Sequence, residues 1–248
     1  MRMLIGIGVG PGDPELLTLK AARLLREADI VFAPSTSLDR ESRAEQIVLA
    51  ATGIRARRLV FALDDQGGVT AERAAAWDEA GQTVIAAFDA GAETVAFVTL
   101  GDPNVYSTFG YLAQTVAAFD DKLEDGGIRT ETVPGITAMQ DLAARADVRL
   151  AEGREPLTLV PATAGFDEFR KALNLNGTVV VYKGGRFLGE LKATVEEMGR
   201  MEEAVLGTDL GLPSESVGRL RDRAGGERAP YFTTLILPPR RGGRGEAL

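Results

Sequence analysis

The chain has 248 residues, 45% of them hydrophobic, and a formal net charge of −8 at pH 7. This length suffices for one large or two small domains with a sizeable core. The sequence contains no cysteine and no histidine, which excludes disulfides, a thiol nucleophile, the usual zinc sites and the commonest general base. Any chemistry must therefore use carboxylates, Tyr, Lys, Arg, hydroxyls or a cofactor, and we expect no metal site.

The composition also limits the partners and the location of the protein. An acidic chain is a poor partner for nucleic acid, and no apolar run approaches the ~20 residues that span a bilayer. The first residues lead directly into a strand-like segment without a signal-peptide cleavage pattern. We therefore expect a cytoplasmic protein that binds neither nucleic acid nor a membrane.

The beginning of the chain predicts a strand, a glycine-rich loop and a helix. Residues 3–9 alternate Gly with Leu, Ile and Val, as in a buried strand, and the loop that follows at 10–14 is GPGDP. Either Asp13 or Thr18 caps the next helix. The predicted buried stripe of this helix consists of Leu19, Ala22, Leu25 and Ala28. The next elements are predicted as a strand at 30–33 closed by Pro34, a helix at 44–50, a strand at 58–63 and a helix at 70–89.

The most informative stretch of the sequence runs from 95 to 112. A β-branched apolar run at 95–100 predicts a buried strand, which the turn residues Gly101-Asp102-Pro103 stop abruptly. A helix capped by Ser107 or Thr108 follows, and its apolar face consists of Phe109, Leu112, Val116 and Phe119. In open α/β sheets, small ligands bind at loops of this kind, at the carboxyl ends of strands. By itself, the loop is equally consistent with an ordinary turn.

The second half of the chain continues the alternation of strands and helices. The polar, charged run at 120–127 is the candidate linker. After it we expect strands at 128–133, 157–161, 178–182, 204–209 and 231–237, and helices at 136–145, 167–173 and 189–199. This order predicts an α/β fold with two α/β domains, residues 1–119 and residues 128–239. The Gly- and Arg-rich tail at 240–248 is expected to be disordered.

Several loops are candidates for ligand binding, but two nucleotide motifs are disfavoured. A dinucleotide fingerprint after the first strand would need a small residue at position 13, where the chain has Asp, and Pro11 lacks an N–H for a pyrophosphate. No Gly-Lys-Ser/Thr ends a Gly-rich run, so the sequence has no P-loop. Two other loops follow strands: VPGITA at 133–138 opens a helix, and VVYKGGR at 180–186 places a Tyr, a Lys and an Arg beyond a strand.

Three of these segments, taken together, resemble a known family. They are GVGPGDP at 8–14, GDPNVY at 101–106 and PGITA at 134–138, and in this order and spacing they resemble the tetrapyrrole methylases, which methylate corrinoid and sirohaem precursors with S-adenosylmethionine. Within the family, GPGDPELLTLKA at 10–21, TLGDPNVYSTF at 99–109 and AEG at 151–153 resemble the branch that methylates C-20 of precorrin-2 or cobalt-precorrin-2 in cobalamin biosynthesis. The resemblance extends to about Pro238.

The resemblance implies two α/β domains with S-adenosylmethionine folded into the trough between them, and usually a homodimer. Matched by motif, the residues that would line the cofactor site are Pro11, Leu100, Gly101, Asp102, Val105, Tyr106, Thr137, Ala138, Tyr182 and Leu210. Among these, Asp102 has a carboxylate that can accept from an amino or hydroxyl group of the cofactor. The substrate is an anionic tetrapyrrole with many carboxylates. We expect Arg40, Arg43, Lys183 and Arg186 to provide positive charge for it.

The identity of a catalytic base stays open at this stage. In the uroporphyrinogen-III methyltransferases a Tyr-Asp pair ends the second strand, whereas this chain has Phe32-Ala33-Pro34 there. The proton that leaves the methylated carbon has three candidate acceptors, namely Tyr106, a carboxylate of the cleft or water. The alternatives to C-20 methylation are transfer to another ring position, a diphthine-type methyltransferase, and a non-catalytic nucleotide-binding module.

Overall fold

The computed structural model describes residues 1–62, 68–120, 127–223, 229–243 and 245. The chain divides into a first unit, Met1–Thr137, and a second unit, Ala138–Leu248. Each unit is built around its own sheet with helices on both faces. The α/β fold predicted from the sequence is therefore confirmed.

The first unit contains a parallel sheet. Its strands are β1 (Met3–Gly8), β2 (Ile30–Ser35), β3 (Arg57–Val60), β4 (Thr94–Thr99) and β5 (Arg129–Val133), in the order β3-β2-β4-β1-β5. Its helices are α1 (Leu19–Glu27), α2 (Arg43–Thr52), α3 (Ala71–Asp89) and α4 (Phe109–Asp120), with a 3-10 turn at Pro14–Leu16. The β1 strand lies inside the sheet, paired on both sides with β4 and β5, which explains why it is entirely apolar or glycine.

The two faces of this sheet carry different helices, because successive strand residues point to opposite faces. Ala96 and Val98 of β4 pack with α1 and α2, whereas Val95 and Phe97 pack with α3 and α4. The connection that leaves β1 therefore crosses one face, and the connection that leaves the adjacent β4 crosses the other. Such a divergence opens a crevice at the carboxyl ends of the two strands, which is where ligands bind in open α/β sheets.

The second unit contains a mixed sheet. Its strands are β6 (Leu157–Pro161), β7 (Thr178–Tyr182), β8 (Val205–Thr208), β9 (Ser216–Arg219) and β10 (Thr233–Leu237), in the order β6-β7-β10-β8-β9. Its helices are α5 (Ala138–Arg145), α6 (Phe166–Leu173) and α7 (Leu188–Glu197), with 3-10 turns at Ala162–Ala164, Gly185–Phe187 and Leu220–Asp222. The α6 and α7 helices cover one face of the sheet, and α5 packs on the other.

The boundary between the two units, after Thr137, lies later in the chain than the sequence predicted. The predicted second domain begins at 128, but β5 pairs with β1 in the first sheet, with Ile7 opposite Val133. The charged run at 120–127 therefore connects two elements of the same unit, and its residues 121–126 lie outside the described part of the chain. A polar run is typical of any surface connection, so its composition could not distinguish a loop from a linker.

Three local predictions also need correction. Leu19, predicted in the buried stripe of α1, is 91% exposed, because the helix begins at this residue. Pro34 does not close β2, since the pairing with β3 continues to Ser35. The start of the predicted disordered tail is anchored: Arg241 Nε donates to Glu155 Oε1 at 2.8 Å, and its side chain is 14% exposed. Residues 244 and 246–248 lie outside the description.

No helix among the described residues is long and apolar enough to cross a membrane.

Candidate functional site

The loops that follow β1 and β4 are joined by backbone hydrogen bonds at the crevice of the first sheet. Val9 N–H donates to the Thr99 carbonyl at 3.0 Å, and Gly101 N–H donates to the Gly10 carbonyl at 2.7 Å. The reciprocal bond, from Gly10 N–H to the Gly101 carbonyl, is longer at 3.4 Å. These bonds extend the β1–β4 pairing beyond the sheet and hold the two loops side by side.

Three glycines bring a third loop, the one after β5, into backbone contact with the first two. A Cβ on Gly8 would lie 2.5 Å from the Gly101 carbonyl oxygen and 2.6 Å from Gly135 N. A Cβ on Gly135 would overlap the same carbonyl oxygen. We call Gly8, Gly101 and Gly135 the glycine contact. Gly8 and Gly135 have no room for a side chain, so one glycine from the first motif and one from the third allow both loops to pack against the Gly101 carbonyl.

Asp102 adds a polar connection to the glycine contact. Its Oδ1 accepts from Asn104 N–H at 2.8 Å, and its Oδ2 accepts from Gly135 N–H at 3.0 Å. From the sequence we expected this carboxylate to bind only the cofactor, whereas in the structure it also stabilises its own turn and connects the β4 loop to the β5 loop. Each carboxylate oxygen accepts more than one hydrogen bond, so Asp102 retains the capacity to accept from a ligand.

Tyr106 lies at the end of the β4 loop in a left-handed conformation, with φ 51°. The loop closes just after it, where Ser107 Oγ donates to Thr99 Oγ1 at 2.9 Å and accepts from Phe109 N–H at 3.0 Å, which confirms Ser107 as a cap of α4. The Tyr106 side chain is 46% exposed, and desolvation raises the pKa of its phenol. A phenol of ordinary pKa is already protonated at neutral pH, and the raised pKa of Tyr106 favours that form further.

The first-unit residues of the predicted cofactor site all lie on these three loops. They are Pro11, Leu100, Gly101, Asp102, Val105, Tyr106 and Thr137. Thr137 is buried, and its Cα would be the atom nearest to a Cβ on Gly101, at 4.0 Å. Gly101 has φ 70°, and its Cβ position has no other described atom within 4 Å outside its chain neighbours. Open space beside apolar and hydroxyl groups fits a bulky cofactor of mixed polarity such as S-adenosylmethionine.

The second-unit residues of the predicted cofactor site share one apolar cluster. Ala138, Tyr182 and Leu210 all pack with Leu142 of α5. Tyr182 Oη accepts from Met139 N–H at 2.9 Å, and this N–H belongs to the first turn of α5, where backbone donors have no partner within the helix. The end of β7 is thereby tied to the start of α5.

The four basic residues predicted to bind the substrate lie beyond strand ends. Arg40 is exposed in the loop after β2, and Arg43 is the first residue of α2. Lys183 follows β7 directly in a left-handed conformation, with φ 59°, and Arg186 is exposed in the 3-10 turn after it. The structure places two of these cations in each unit.

Two further features of the described residues, a pocket and the arrangement of the carboxylates, bear on where the site lies. A pocket of about 240 Å³ lies between α3 and α4, lined by Trp77, Tyr111 and their neighbours, and includes none of the predicted site residues. In the part of the chain that the structure describes, no group of three or more carboxylates is arranged to hold a metal ion. The loops at the β1–β4 crevice are therefore the best-supported site.

Comparison with known proteins shows the family of the chain. The sequence pattern of the tetrapyrrole (corrin/porphyrin) methylases matches residues 3–222. The chain belongs to this family. It is 33% identical to the cobalt-precorrin-2 C(20)-methyltransferase of Salmonella typhimurium, over 94% of this chain and 95% of that protein. It is 30% identical to the precorrin-2 C(20)-methyltransferase of a Sinorhizobium species, over 95% and 94% of the two chains.

Solved structures of other tetrapyrrole methylases share the fold. The native uroporphyrin III C-methyl transferase of Thermus thermophilus superposes with a TM-score of 0.65 at 23% identity, covering 96% of this chain and 92% of that one. A cobalt precorrin-4 methyltransferase superposes with a TM-score of 0.63 at 20% identity, covering 94% of each chain. The recognition of the family from its three glycine-rich motifs is therefore confirmed.

Proposed function

We propose that this protein transfers a methyl group from S-adenosylmethionine to C-20 of precorrin-2 or cobalt-precorrin-2. The observation that carries the proposal is the similarity to two proteins named as C-20 methyltransferases over nearly the whole length of all three chains. The glycine contact supports it, because loops in backbone contact suit the binding of a bulky cofactor. The sulfonium cofactor supplies an activated methyl group, so the chain needs no covalent nucleophile.

The residues of the three loops would bind and orient the cofactor. Open space lies beside the Gly101 Cα, Asp102 offers acceptor capacity, and Thr137 borders the same space. Ala138, Tyr182 and Leu210 complete the predicted set from the second unit. Alignment of the acceptor carbon with the methyl group is the main contribution of such a site, because fixed geometry removes much of the entropic barrier of a two-substrate reaction.

The base in this reaction is neither a histidine nor a cysteine, because the chain has none. The β2 strand carries Phe32-Ala33-Pro34 where the uroporphyrinogen-III methyltransferases have a Tyr-Asp pair, and desolvation raises the pKa of the Tyr106 phenol, which favours its protonated form. The proton that leaves C-20 would pass to water or to a carboxylate. Tyr106 would instead donate a hydrogen bond to a bound molecule.

Substrate recognition would depend on Arg40, Arg43, Lys183 and Arg186, because guanidinium and ammonium groups bind the carboxylates of the tetrapyrrole. Replacement of Arg40 and Arg186 together by Ala should raise the KM for the tetrapyrrole and leave the Kd for S-adenosylmethionine nearly unchanged. Kinetics and calorimetry measure the two constants. An equal loss of both would contradict this assignment.

The first experiment is calorimetric titration with S-adenosylmethionine, followed by incubation with labelled cofactor and precorrin-2, with and without cobalt. Cofactor binding with label transfer to C-20 of the tetrapyrrole supports the proposal, and the two substrates identify the preferred pathway. Label on another carbon of the tetrapyrrole would favour another ring position, and cofactor binding without transfer would favour a different acceptor, such as a diphthine-type one. A chain that does not bind the cofactor would be a different kind of nucleotide-binding module.

We also propose that the protein acts as a homodimer in the cytoplasm, as the family resemblance implies. Light scattering coupled to size-exclusion chromatography tests the dimer: a mass near twice the 26.3 kDa of the chain supports it, and a monomer at micromolar concentration contradicts it.

A further inference from the structure

The loop that connects β2 to α2 lies at the same edge of the first sheet as the glycine contact. We call residues 36–42 the arginine loop. Because β2 lies next to β4 in the parallel sheet, the arginine loop and the loop that carries Asp102 follow neighbouring strands at their carboxyl ends. The loop is mostly exposed: Leu38 is 65% exposed and Arg40 is also on the surface.

A buried serine holds the first part of the arginine loop. Ser35, the last residue of β2, is only 3% exposed. Its Oγ lies 2.8 Å from the Ser37 carbonyl oxygen and 2.6 Å from the Arg40 carbonyl oxygen, both within hydrogen-bond distance. Because the hydroxyl has a single hydrogen, it donates to one of these carbonyls at a time or shares the hydrogen between them, and it restrains the backbone of the loop near Arg40.

A charged pair holds the rest of the loop. Arg58 of β3 binds Glu45 of α2 through two parallel bonds, with Nε to Oε2 at 2.8 Å and Nη2 to Oε1 at 3.0 Å. Both side chains are largely buried, at 21% and 13% exposure. Arg58 Nη1 also donates to the Leu38 carbonyl at 2.6 Å. Glu45 in turn forms a capping box with Ser42, the N-cap of α2.

These contacts specify the backbone on both sides of Arg40. A surface connection between a strand and a helix ordinarily needs no such support, whereas a site that presents side chains to a ligand depends on neighbours that fix its geometry. We propose that Ser35 and the Arg58–Glu45 pair are positioning residues for substrate recognition, which hold the arginine loop so that Arg40 and Arg43 meet carboxylates of the tetrapyrrole. This inference rests on the proposed function.

The test compares Ser35→Ala and Glu45→Gln with Glu27→Gln as a matched control, since Glu27 forms an exposed ion pair with Arg23 on α1, at 2.6 Å and outside the arginine loop. The positioning variants should raise the KM for precorrin-2 by about tenfold, the effect of losing roughly one hydrogen bond to a charged group. Their kcat and their Kd for S-adenosylmethionine should change less than about twofold. The control variant should match the parent protein in all three constants. Unchanged KM in both positioning variants would overturn the inference.

A double-mutant cycle separates positioning from a general loss of structure. If Ser35 acts through Arg40, then Ser35→Ala should raise KM in the parent protein but add little in the Arg40→Ala background. A full additional increase in that background would overturn the inference. Hydrogen exchange provides a readout independent of activity: Ser35→Ala should speed exchange at 36–42 and leave 101–106 unchanged. Unchanged exchange at 36–42 would also overturn it.

These outcomes also distinguish the inference from the proposed function. If the parent protein does not methylate precorrin-2, the proposed function fails. If it does, and Arg40→Ala raises the KM while the positioning variants do not, the inference alone fails. Binding of precorrin-2 in the presence of S-adenosylhomocysteine, followed by tetrapyrrole absorbance, should show the same order of variants without turnover.

Discussion

Two groups of loops at one edge of the first sheet are held in opposite ways. The glycine contact depends on the absence of side chains, which lets three backbones touch. The arginine loop depends on buried polar side chains, Ser35 and the Arg58–Glu45 pair, which bind its carbonyl groups and cap the next helix. Backbone segments that touch each other need glycine at the contact, whereas a loop that presents long cationic side chains needs hydrogen bonds that hold its backbone.

The largest effect is expected where the glycine contact is broken. Gly135→Ala would place a Cβ on the Gly101 carbonyl oxygen, so the loops must separate, and the Kd for S-adenosylmethionine should rise by about 100-fold or more, the scale of a site displaced by about 1 Å. Calorimetry measures the constant. Gly110→Ala is the matched control, because a Cβ there would meet nothing within 4 Å, and it should bind the cofactor as the parent protein does. Equal affinity in the two variants would contradict the account.

A smaller loss is expected at Asp102. Asp102→Asn replaces one acceptor oxygen with an NH₂ donor, so the side chain can no longer accept from both Asn104 N–H and Gly135 N–H. The Kd for the cofactor should therefore rise by about tenfold. Asp78→Asn, an exposed position on α3, is the control for charge. If the Asp102 variant bound the cofactor like the control, this carboxylate would not join the two loops.

The arginine loop differs from the glycine contact in its dependence on pH. The hydrogen bond from Arg58 lowers the pKa of Glu45 below its usual 4.5. This pair therefore stabilises the folded protein above pH 4.5, and that contribution is lost as the pH falls through the lowered pKa. Urea unfolding should show Glu45→Gln less stable than the parent at pH 7, with the gap closing at acid pH. If the difference in free energy of unfolding between the two proteins did not change with pH, the charged pair would not be its source.

The smallest effect is expected at Tyr106. Because its phenol is protonated at neutral pH, Tyr106→Phe removes a donor but no base, and kcat should fall by less than about tenfold with an unchanged pH profile. Steady-state kinetics between pH 6 and 9 test this. The disappearance of an ionisation from the kcat profile would show that Tyr106 takes up the proton.

The sequence predicted the elements of this fold well, because their signals are local. The β-branched run at 95–100 and the caps Thr18 and Ser107 gave the correct strand and helices, since each signal involves neighbours along the chain. The short strand β9 was missed, because Ser216–Arg219 has one large apolar residue and forms only by pairing with β8. The domain boundary was missed because the pairing of β5 with β1 spans more than a hundred residues.

The contacts within the candidate site could not be predicted from the sequence. The glycines of the three motifs indicated close approach, yet nothing local shows that Gly8, Gly101 and Gly135 touch each other. Asp102 was assigned to the cofactor, because its partner Gly135 is 33 residues away. Ser35 drew no attention in the sequence, since a serine at a strand end is common and its importance depends on burial.

Carbon NMR of the product is the most direct test of methyl transfer to one carbon of the tetrapyrrole. The protein would be incubated with precorrin-2 or cobalt-precorrin-2 and S-adenosylmethionine labelled with ¹³C in its methyl group. We expect one enriched methyl signal, from a methyl group attached to C-20. A methyl signal at another ring position, or no enrichment by a protein that binds the cofactor, would contradict it.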